Sequence, residues 1–343
     1  MPAAATPSSA LATERLSLVV PLYNEEDNVL PLVAQVRAAL AASPWPWQLI
    51  LVDDGSGDRT AARIREAVAA APERVAAVLL SRNFGQTAAM QAGIDLAQGS
   101  VIVTLDGDLQ NDPADIPRMV QRLLDEQLDL LVGWRHQRRD TLLRRLVSRC
   151  ANRLIVAVTG VRLHDYGCSL KIFRASVLRQ VRLYGEMHRF IPTWIATVTS
   201  PERIREEPVG HRPRVHGISK YGMERTAKVL LDLLSMYFFG RFRASPGHFF
   251  GRIGLACGGL GGAALAWLAW SKLAGGEEIA QRPLLMVGVM LVVVGVQFIC
   301  TGIVTEMLAR TYFEAGGSRS YLVREVLGGA APLWSGTSFP ERP

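Results

Sequence analysis

At 343 residues, with 49% hydrophobic residues, a net charge of +7 and a pI near 9.5, the chain has room for one catalytic domain and additional elements. The basic charge is not read as a nucleic-acid footprint, because the apolar residues concentrate in two C-terminal runs that make an anionic membrane surface the better partner. Four scattered cysteines (Cys150, Cys168, Cys257, Cys300) lack paired spacing and argue against a zinc centre or a disulfide framework.

Residues 1–14 are small and polar, have no basic start followed by an apolar stretch, and are expected to be disordered rather than a secretion signal. Next come short β-branched runs, Leu16–Val20, Gln48–Val52, Val75–Leu80, Val101–Leu105 and Leu128–Val132, which predict strands. Between them Asn28–Ala41, Arg59–Ala70, Thr87–Gln98 and Pro113–Glu126 predict helices, the last with Asn111 and Asp112 as cap candidates before its proline. Alternation of this kind predicts an α/β fold with a mostly parallel sheet covered on both faces, and ligands beyond the carboxyl ends of its strands.

Residues 134–221 read differently. Seven arginines (135, 138, 139, 144, 145, 149, 153) face one acid, Asp140, and most of the seven read as solvent- or headgroup-facing charge. Cys168–Arg174 predicts a further strand and Met187–Val198 a further helix. In the 222–248 region, Met223–Phe239 is amphipathic, with the pattern of a helix lying in the membrane interface or of an ordinary core helix.

Ile253–Trp270 and Leu284–Thr305 are runs of 18 and 22 uncharged residues, long enough to cross a hydrocarbon core of roughly 30 Å. They predict a two-helix transmembrane hairpin over 249–309. Arg241, Arg243 and Arg252 before it, and Arg310, Arg319 and Arg324 after it, place the 15–221 domain, both termini and the 310–343 tail on the cytoplasmic side of a bacterial-type inner membrane. Gly254, Gly258 and Gly262, and Gly288, Gly295 and Gly302, predict close helix packing.

Each strand of the first half ends in a polar cluster: Tyr23-Asn24-Glu25-Glu26, then Asp53-Asp54-Gly55-Ser56-Gly57-Asp58, then Asp106-Gly107-Asp108-Leu109-Gln110. Asp58 reads as a helix cap. Asp106 and Asp108, one residue apart with a glycine between, are suited to a hard divalent ion shared with substrate phosphate oxygens, either Mg²⁺ or Mn²⁺. His188, His211 and His216 read as satisfied or exposed residues without a catalytic part.

The series Val20-Pro21-Leu22-Tyr23-Asn24-Glu25-Glu26, Val52-Asp53-Asp54-Gly55-Ser56, Arg82-Asn83-Phe84-Gly85-Gln86 and Asp106-Gly107-Asp108-Leu109-Gln110 resembles glycosyltransferase family 2, an inverting family with the Rossmann-like GT-A fold. The hairpin narrows the resemblance to the polyprenyl-phosphate branch, which holds dolichyl-phosphate mannose synthase, undecaprenyl-phosphate glucosyltransferase and undecaprenyl-phosphate 4-deoxy-4-formamido-L-arabinose transferase. Asp165-Tyr166-Gly167-Cys168, Phe190-Ile191-Pro192, Gly217-Ile218-Ser219-Lys220-Tyr221 and Gln297-Phe298 look closest to the last.

The resemblance implies that Pro21, Tyr23, Glu25, Asp53, Asp54, Ser56, Gln86 and Gln110 bind a nucleotide-sugar. It implies that Asp106, Asp108 and Gln110 hold the metal and diphosphate. Lys171 stands where several relatives carry arginine. The acceptor it implies is a polyprenyl phosphate, close to doubly charged at neutral pH. Such an acceptor needs cations more than a base, and Arg135, Arg138, Arg214, Ser219 and Lys220 flank the matching motifs. The resemblance also implies a homotetramer. A non-catalytic nucleotide-binding adaptor and a polysaccharide synthase are the competing readings; the chain lacks the Gln-x-x-Arg-Trp motif of the synthases.

Overall fold

The computed structural model describes residues 14–135, 156, 161–185, 187–212, 246–275, 278, 282–314 and 320–328. The chain divides into two compact units, residues 1–229 with 319–343, and residues 230–318. Arg138, Arg214, Ser219, Lys220 and Met223–Phe239 lie outside the described residues.

The first unit opens as a βα alternation: β1 (Leu16–Leu22), α1 (Val29–Ala39), β2 (Trp47–Asp53), α2 (Thr60–Ala70), β3 (Val75–Leu80), α3 (Gln86–Leu96), β4 (Val101–Thr104), α4 (Ile116–Asp125) and β5 (Leu130–Trp134). It continues with β6 (Lys171–Arg174), α5 (Ala175–Leu178), α6 (Ile191–Ile195) and β7 (Ile204–Pro208). A last strand, β8 (Val323–Leu327), follows the helical unit in sequence. The eight strands form one sheet in the order β7-β5-β6-β4-β1-β2-β3-β8.

β3, β2, β1 and β4 are parallel neighbours, so the winding reverses between β1 and β4. At such a reversal the loops leave in opposite directions and open a crevice at the carboxyl rim. The sheet is buried on both faces, which explains why β1, β2 and β3 are buried at every position. Leu18, Val20, Leu49 and Leu51 pack with Val36, Ile64 and Met119 of α1, α2 and α4. α3 covers the other face so closely that a methyl built on Gly93 would lie 2.3 Å from Val19 Cγ1.

β6 departs from the predicted parallel pattern. It runs antiparallel to both β4 and β5, with Lys171 opposite Thr104. It is shorter than Cys168–Arg174, and its polar approach, residues 165–170, is thereby delivered to the same rim as the ends of β4 and β5. β5 is shifted two residues from the predicted Leu128–Val132. The predicted helix over 187–198 is a 3₁₀ turn, Met187–Phe190, followed by the five-residue α6, broken where Pro192 supplies no N–H. Asp112 accepts from Ala114 N at 3.1 Å and is the cap; the Asn111 side chain goes to Ser169 Oγ, 2.6 Å.

β7 and β8 have no counterpart in the predicted strands. β8 pairs antiparallel with β3. It is fastened by Ser81 N to Leu322 O at 2.9 Å, by Arg65 to Glu325 at 2.6 Å, and by the buried Tyr321, whose hydroxyl donates to Asp95 at 2.6 Å.

The second unit holds α7 (Pro246–Gly275) and α8 (Pro283–Glu314), of 30 and 32 residues. In the 18-residue apolar windows of the stretches Phe250–Ala274 and Pro283–Thr305 only 17% and 11% of residues are buried, which a core helix of a water-soluble domain would not tolerate. A methyl on Gly254 would meet Gly295 O at 2.7 Å, and one on Gly261 would meet Gly288 O at 2.7 Å. The contact therefore follows a spacing of seven on both helices. Gly261, rather than the expected Gly262, carries it; a methyl on Gly262 meets nothing within 4 Å.

Candidate active site

The loops after β1 and β2 are knitted into one wall. Asn24, at φ 55°, donates its N–H to Ser56 Oγ and accepts from Gly57 N, both at 2.9 Å. Glu25 N donates to Thr60 Oγ1 at 2.9 Å, and the Glu25 carboxylate accepts from Asn28 Nδ2 at 2.5 Å. Asp58 Oδ1 accepts from Thr60 N at 2.9 Å, the capping part expected of it. Gly55 sits at φ 67°, and a methyl there would lie 2.3 Å from the Arg82 carbonyl carbon, so only glycine lets the 82–83 backbone approach.

Asp53 and Asp54 diverge. Asp53 is fully buried: Oδ1 accepts from Ser56 N at 3.1 Å, while Oδ2 has no hydrogen-bond partner among the described residues. A buried acceptor left so is a place for a ligand N–H or O–H. Asp54 instead accepts from Phe84 N at 2.8 Å and Gly85 N at 3.0 Å, so it anchors the loop that leads into α3. Burial raises its pKa, with the two amide bonds opposing and Asp53 adding to the rise. Tyr23 is exposed on the rim and Pro21 buried beneath it.

From the anchored loop, Gln86 Nε2 donates to Asp106 Oδ1 at 2.8 Å. Asp106 is half-buried and Asp108 is 7% exposed. Asp108 Oδ1 accepts from Gln110 N at 3.2 Å across Leu109, which has φ 60°. A methyl on Gly107 would meet Leu22 Cδ2 at 2.2 Å, so this glycine lets the turn settle on the end of β1. Burial, and then the Asp108 charge, push the Asp106 pKa up. Two crowded carboxylates are stabilised by a divalent cation. Among the described residues no three His, Cys, Asp or Glu side chains converge for a metal; a paired-carboxylate donor set such as Asp106 and Asp108 suits a hard divalent cation only if other oxygens complete its shell.

Two cations lie close enough to Asp106 for their charges to be felt there. Lys171 is 3% exposed, its Nζ donates to Cys168 O, and burial lowers its pKa against the pull of Cys168, Asp106 and Asp165. Arg135, following β5, is paired through Nε and Nη2 with Asp165 at 2.7 and 2.9 Å. Ser169 links Asn111 to Asp106, helping to hold the latter ionised. The segment after β7 reaches the same rim: Arg212 N donates to Gln110 O at 2.8 Å, two residues before Arg214. Thr87 Oγ1 is 2.7 Å from His188 Nδ1; His211 is exposed and its backbone forms an antiparallel bridge with Asn111; His216 lies outside the described residues. The parts of Lys171, Asp165 and Ser169 could not be read along the chain, because the antiparallel entry of β6 creates their proximity.

A reversed-winding sheet with an acidic pair at its switch point is the arrangement expected of a GT-A glycosyltransferase. Residues 17–182 match the glycosyl transferase family 2 profile. A dodecaprenyl-phosphate galacturonate synthase of Rhizobium johnstonii is 56% identical over 312 residues, 91% of this chain and 92% of that one. An undecaprenyl-phosphate 4-deoxy-4-formamido-L-arabinose transferase of Edwardsiella ictaluri is 36% identical over 312 residues, 91% and 94% of the two chains. The fold is shared with glucosyl-3-phosphoglycerate synthase from Mycobacterium tuberculosis, solved with Mn²⁺, UDP-glucose and phosphoglyceric acid, at a TM-score of 0.52 and 20% identity over 67% of this chain and 81% of that one. The chain belongs to glycosyl transferase family 2, in its polyprenyl-phosphate glycosyltransferase branch.

Proposed function

We propose that the protein transfers a sugar, with inversion, from a nucleotide-sugar to a polyprenyl phosphate, and that the sugar is galacturonic acid. The observation that carries the transfer is the Asp106–Asp108 pair at the β1/β4 switch point, with the part-buried Arg135 and the buried Lys171 near Asp106. The choice of sugar rests on the greater similarity to the galacturonate synthase, 56% against 36% identity for the formamido-arabinose transferase.

Pro21, Tyr23, Glu25, Asp53 and Ser56 form the wall that takes the nucleoside, with the buried Asp53 Oδ2 left without a partner among the described residues beneath it. Asp54 and Gln86 act at one remove, setting the loop and the Asp106 carboxylate. Asp106, Asp108 and Gln110 would hold Mg²⁺ or Mn²⁺, which when bound would offset the charge of the departing diphosphate. Arg135, with Arg138, Arg214, Ser219 and Lys220, holds the acceptor phosphate in line. A phosphate oxygen forms the new bond to C1 as the bond from C1 to the diphosphate oxygen breaks; the acceptor is already a dianion, so no base is required.

α7 and α8 cross the membrane as a hairpin. The chain leaves the catalytic unit and returns to it as β8, which favours an even number of crossings and agrees with the cytoplasmic placement implied by the flanking arginines. The test is a donor panel. Detergent-purified protein with Mn²⁺ or Mg²⁺ and undecaprenyl phosphate is offered labelled UDP-galacturonic acid, UDP-4-deoxy-4-formamido-L-arabinose and other UDP- and GDP-sugars. A single galacturonate-labelled lipid is expected. Transfer from another donor alone overturns the sugar; nucleotide binding without any transfer favours the adaptor reading.

A further inference from the structure

The carboxylate of Asp165 has no step to perform in the reaction above, yet it is one of the most fully engaged acids on the rim. It accepts from Arg135 Nε at 2.7 Å, Arg135 Nη2 at 2.9 Å, Arg135 N at 3.4 Å and Gly167 N at 3.1 Å. The two side chains are only 16% and 11% exposed. A methyl on Gly167 would lie 3.4 Å from Arg135 Nη2, so the guanidinium is packed against that glycine. Next to it, Trp134 is stacked on His164 at 4.5 Å between ring centroids, and His164 is paired with Glu206.

We propose that Asp165 is a positioning residue for the acceptor: it clamps Arg135 by its Nε edge and leaves the Nη1 edge as the phosphate-binding face. This rests on the reading of Arg135 as an acceptor-phosphate ligand. A guanidinium has two planar edges that can each take a pair of oxygens. With one edge and the backbone amide fixed to the same carboxylate, the other edge points in one direction only. Among the described residues Nη1 has no hydrogen-bond partner, and the Arg135 and Asp106 charges act on each other, so the guanidinium lies within reach of the donor side. Burial disfavours the charged guanidinium, and the Asp165 bonds more than offset it, so the cation persists without a phosphate. An unclamped arginine would have to be ordered anew by each incoming lipid.

The distinguishing measurement is the division of any loss between the two KM values and kcat, for full-length protein in nanodiscs with Mn²⁺, undecaprenyl phosphate and the nucleotide-sugar found active in the donor panel. Asp165→Asn is expected to raise the KM for undecaprenyl phosphate about tenfold, the loss of one charge-assisted pair, with kcat and donor KM within about twofold. Asp165→Glu should recover part of the loss. In an Arg135→Gln background, Asp165→Asn should add nothing. Should Asp165→Asn not fold, Arg135→Lys, which keeps the charge but loses the forked pair, is expected to show the same rise. A fall in kcat with both KM values unchanged, or losses that multiply in the double variant, overturns the clamp and makes Asp165 a reacting group. If Arg135→Gln itself leaves the lipid KM unchanged, the assignment of Arg135 fails instead. If Arg135→Gln raises it while Asp165→Asn does not, only the clamp fails.

Discussion

Gln86 and Asp106 are joined across the rim, Nε2 to Oδ1 at 2.8 Å, so the first residue of α3 fixes the orientation of a carboxylate that follows β4. The same loop is anchored one step earlier by Asp54, so the geometry of the rim passes from the end of β2 through the 82–86 loop to Asp106. Gln86→Ala removes one hydrogen bond to a charged group. It is expected to lower kcat/KM roughly tenfold with little change in Tm. A fall in Tm of the size produced by core substitutions would mean that the contact holds the fold.

Asp108→Asn keeps the shape of the turn and deletes a charge. Turnover should fall on the order of 100-fold or more, with nucleotide-free Tm nearly unchanged. Titration of Mn²⁺ in the presence of nucleoside diphosphate should show weakened binding in parallel. Activity within a few fold of wild type would remove the pair from the metal site.

Asp54 gives a pH dependence of definite sign. Its folded pKa lies above the ordinary 3.8, so between that value and the raised one the folded state holds a proton that the unfolded state has lost. Its contribution to stability is therefore lost as pH rises through this window and is constant above it. In denaturant unfolding over a pH series, the stability of wild type minus that of Asp54→Asn should fall with rising pH there. A difference that grows with pH would mean that the Phe84 and Gly85 amides outweigh burial.

The hairpin offers a paired control. Gly295→Ala places a methyl 2.7 Å from Gly258 N and 2.8 Å from Gly254 O, and the helices must part to admit it. Gly262→Ala meets nothing within 4 Å. Unfolding in mild detergent should show Gly295→Ala destabilised by about 1–3 kcal/mol and Gly262→Ala near wild type. Equal effects would contradict the observed seam.

The strands β1 to β4 were legible because a doubly covered sheet requires uninterrupted β-branched runs, and the acidic clusters at their ends were legible as a shared rim. Adjacent identical residues were not: Asp53 and Asp54 point opposite ways because side chains alternate at a strand end, and only coordinates tell the orphaned acid from the anchoring one. Val323–Leu327 escaped notice because Arg324 and Glu325 interrupt its apolar residues and its partner strand lies more than 240 residues earlier. The Arg135–Asp165 pair, separated by 30 residues, needed the antiparallel turn of β6. In the helical unit, a spacing of four led to Gly262, while the two-helix seam selects Gly261 at a spacing of seven.

β8 also orders events in time. A ribosome moving from the N-terminus completes β3 some 240 residues before it supplies the strand that covers it, and both membrane helices emerge in between. Until then the β3 edge presents unpaired backbone groups open to stray strand pairing. The catalytic sheet can thus gain its eighth strand only after the hairpin has been made. A chain interrupted within the hairpin would carry Asp53, Asp54, Asp106 and Asp108 on a sheet whose β3 is still an uncovered edge.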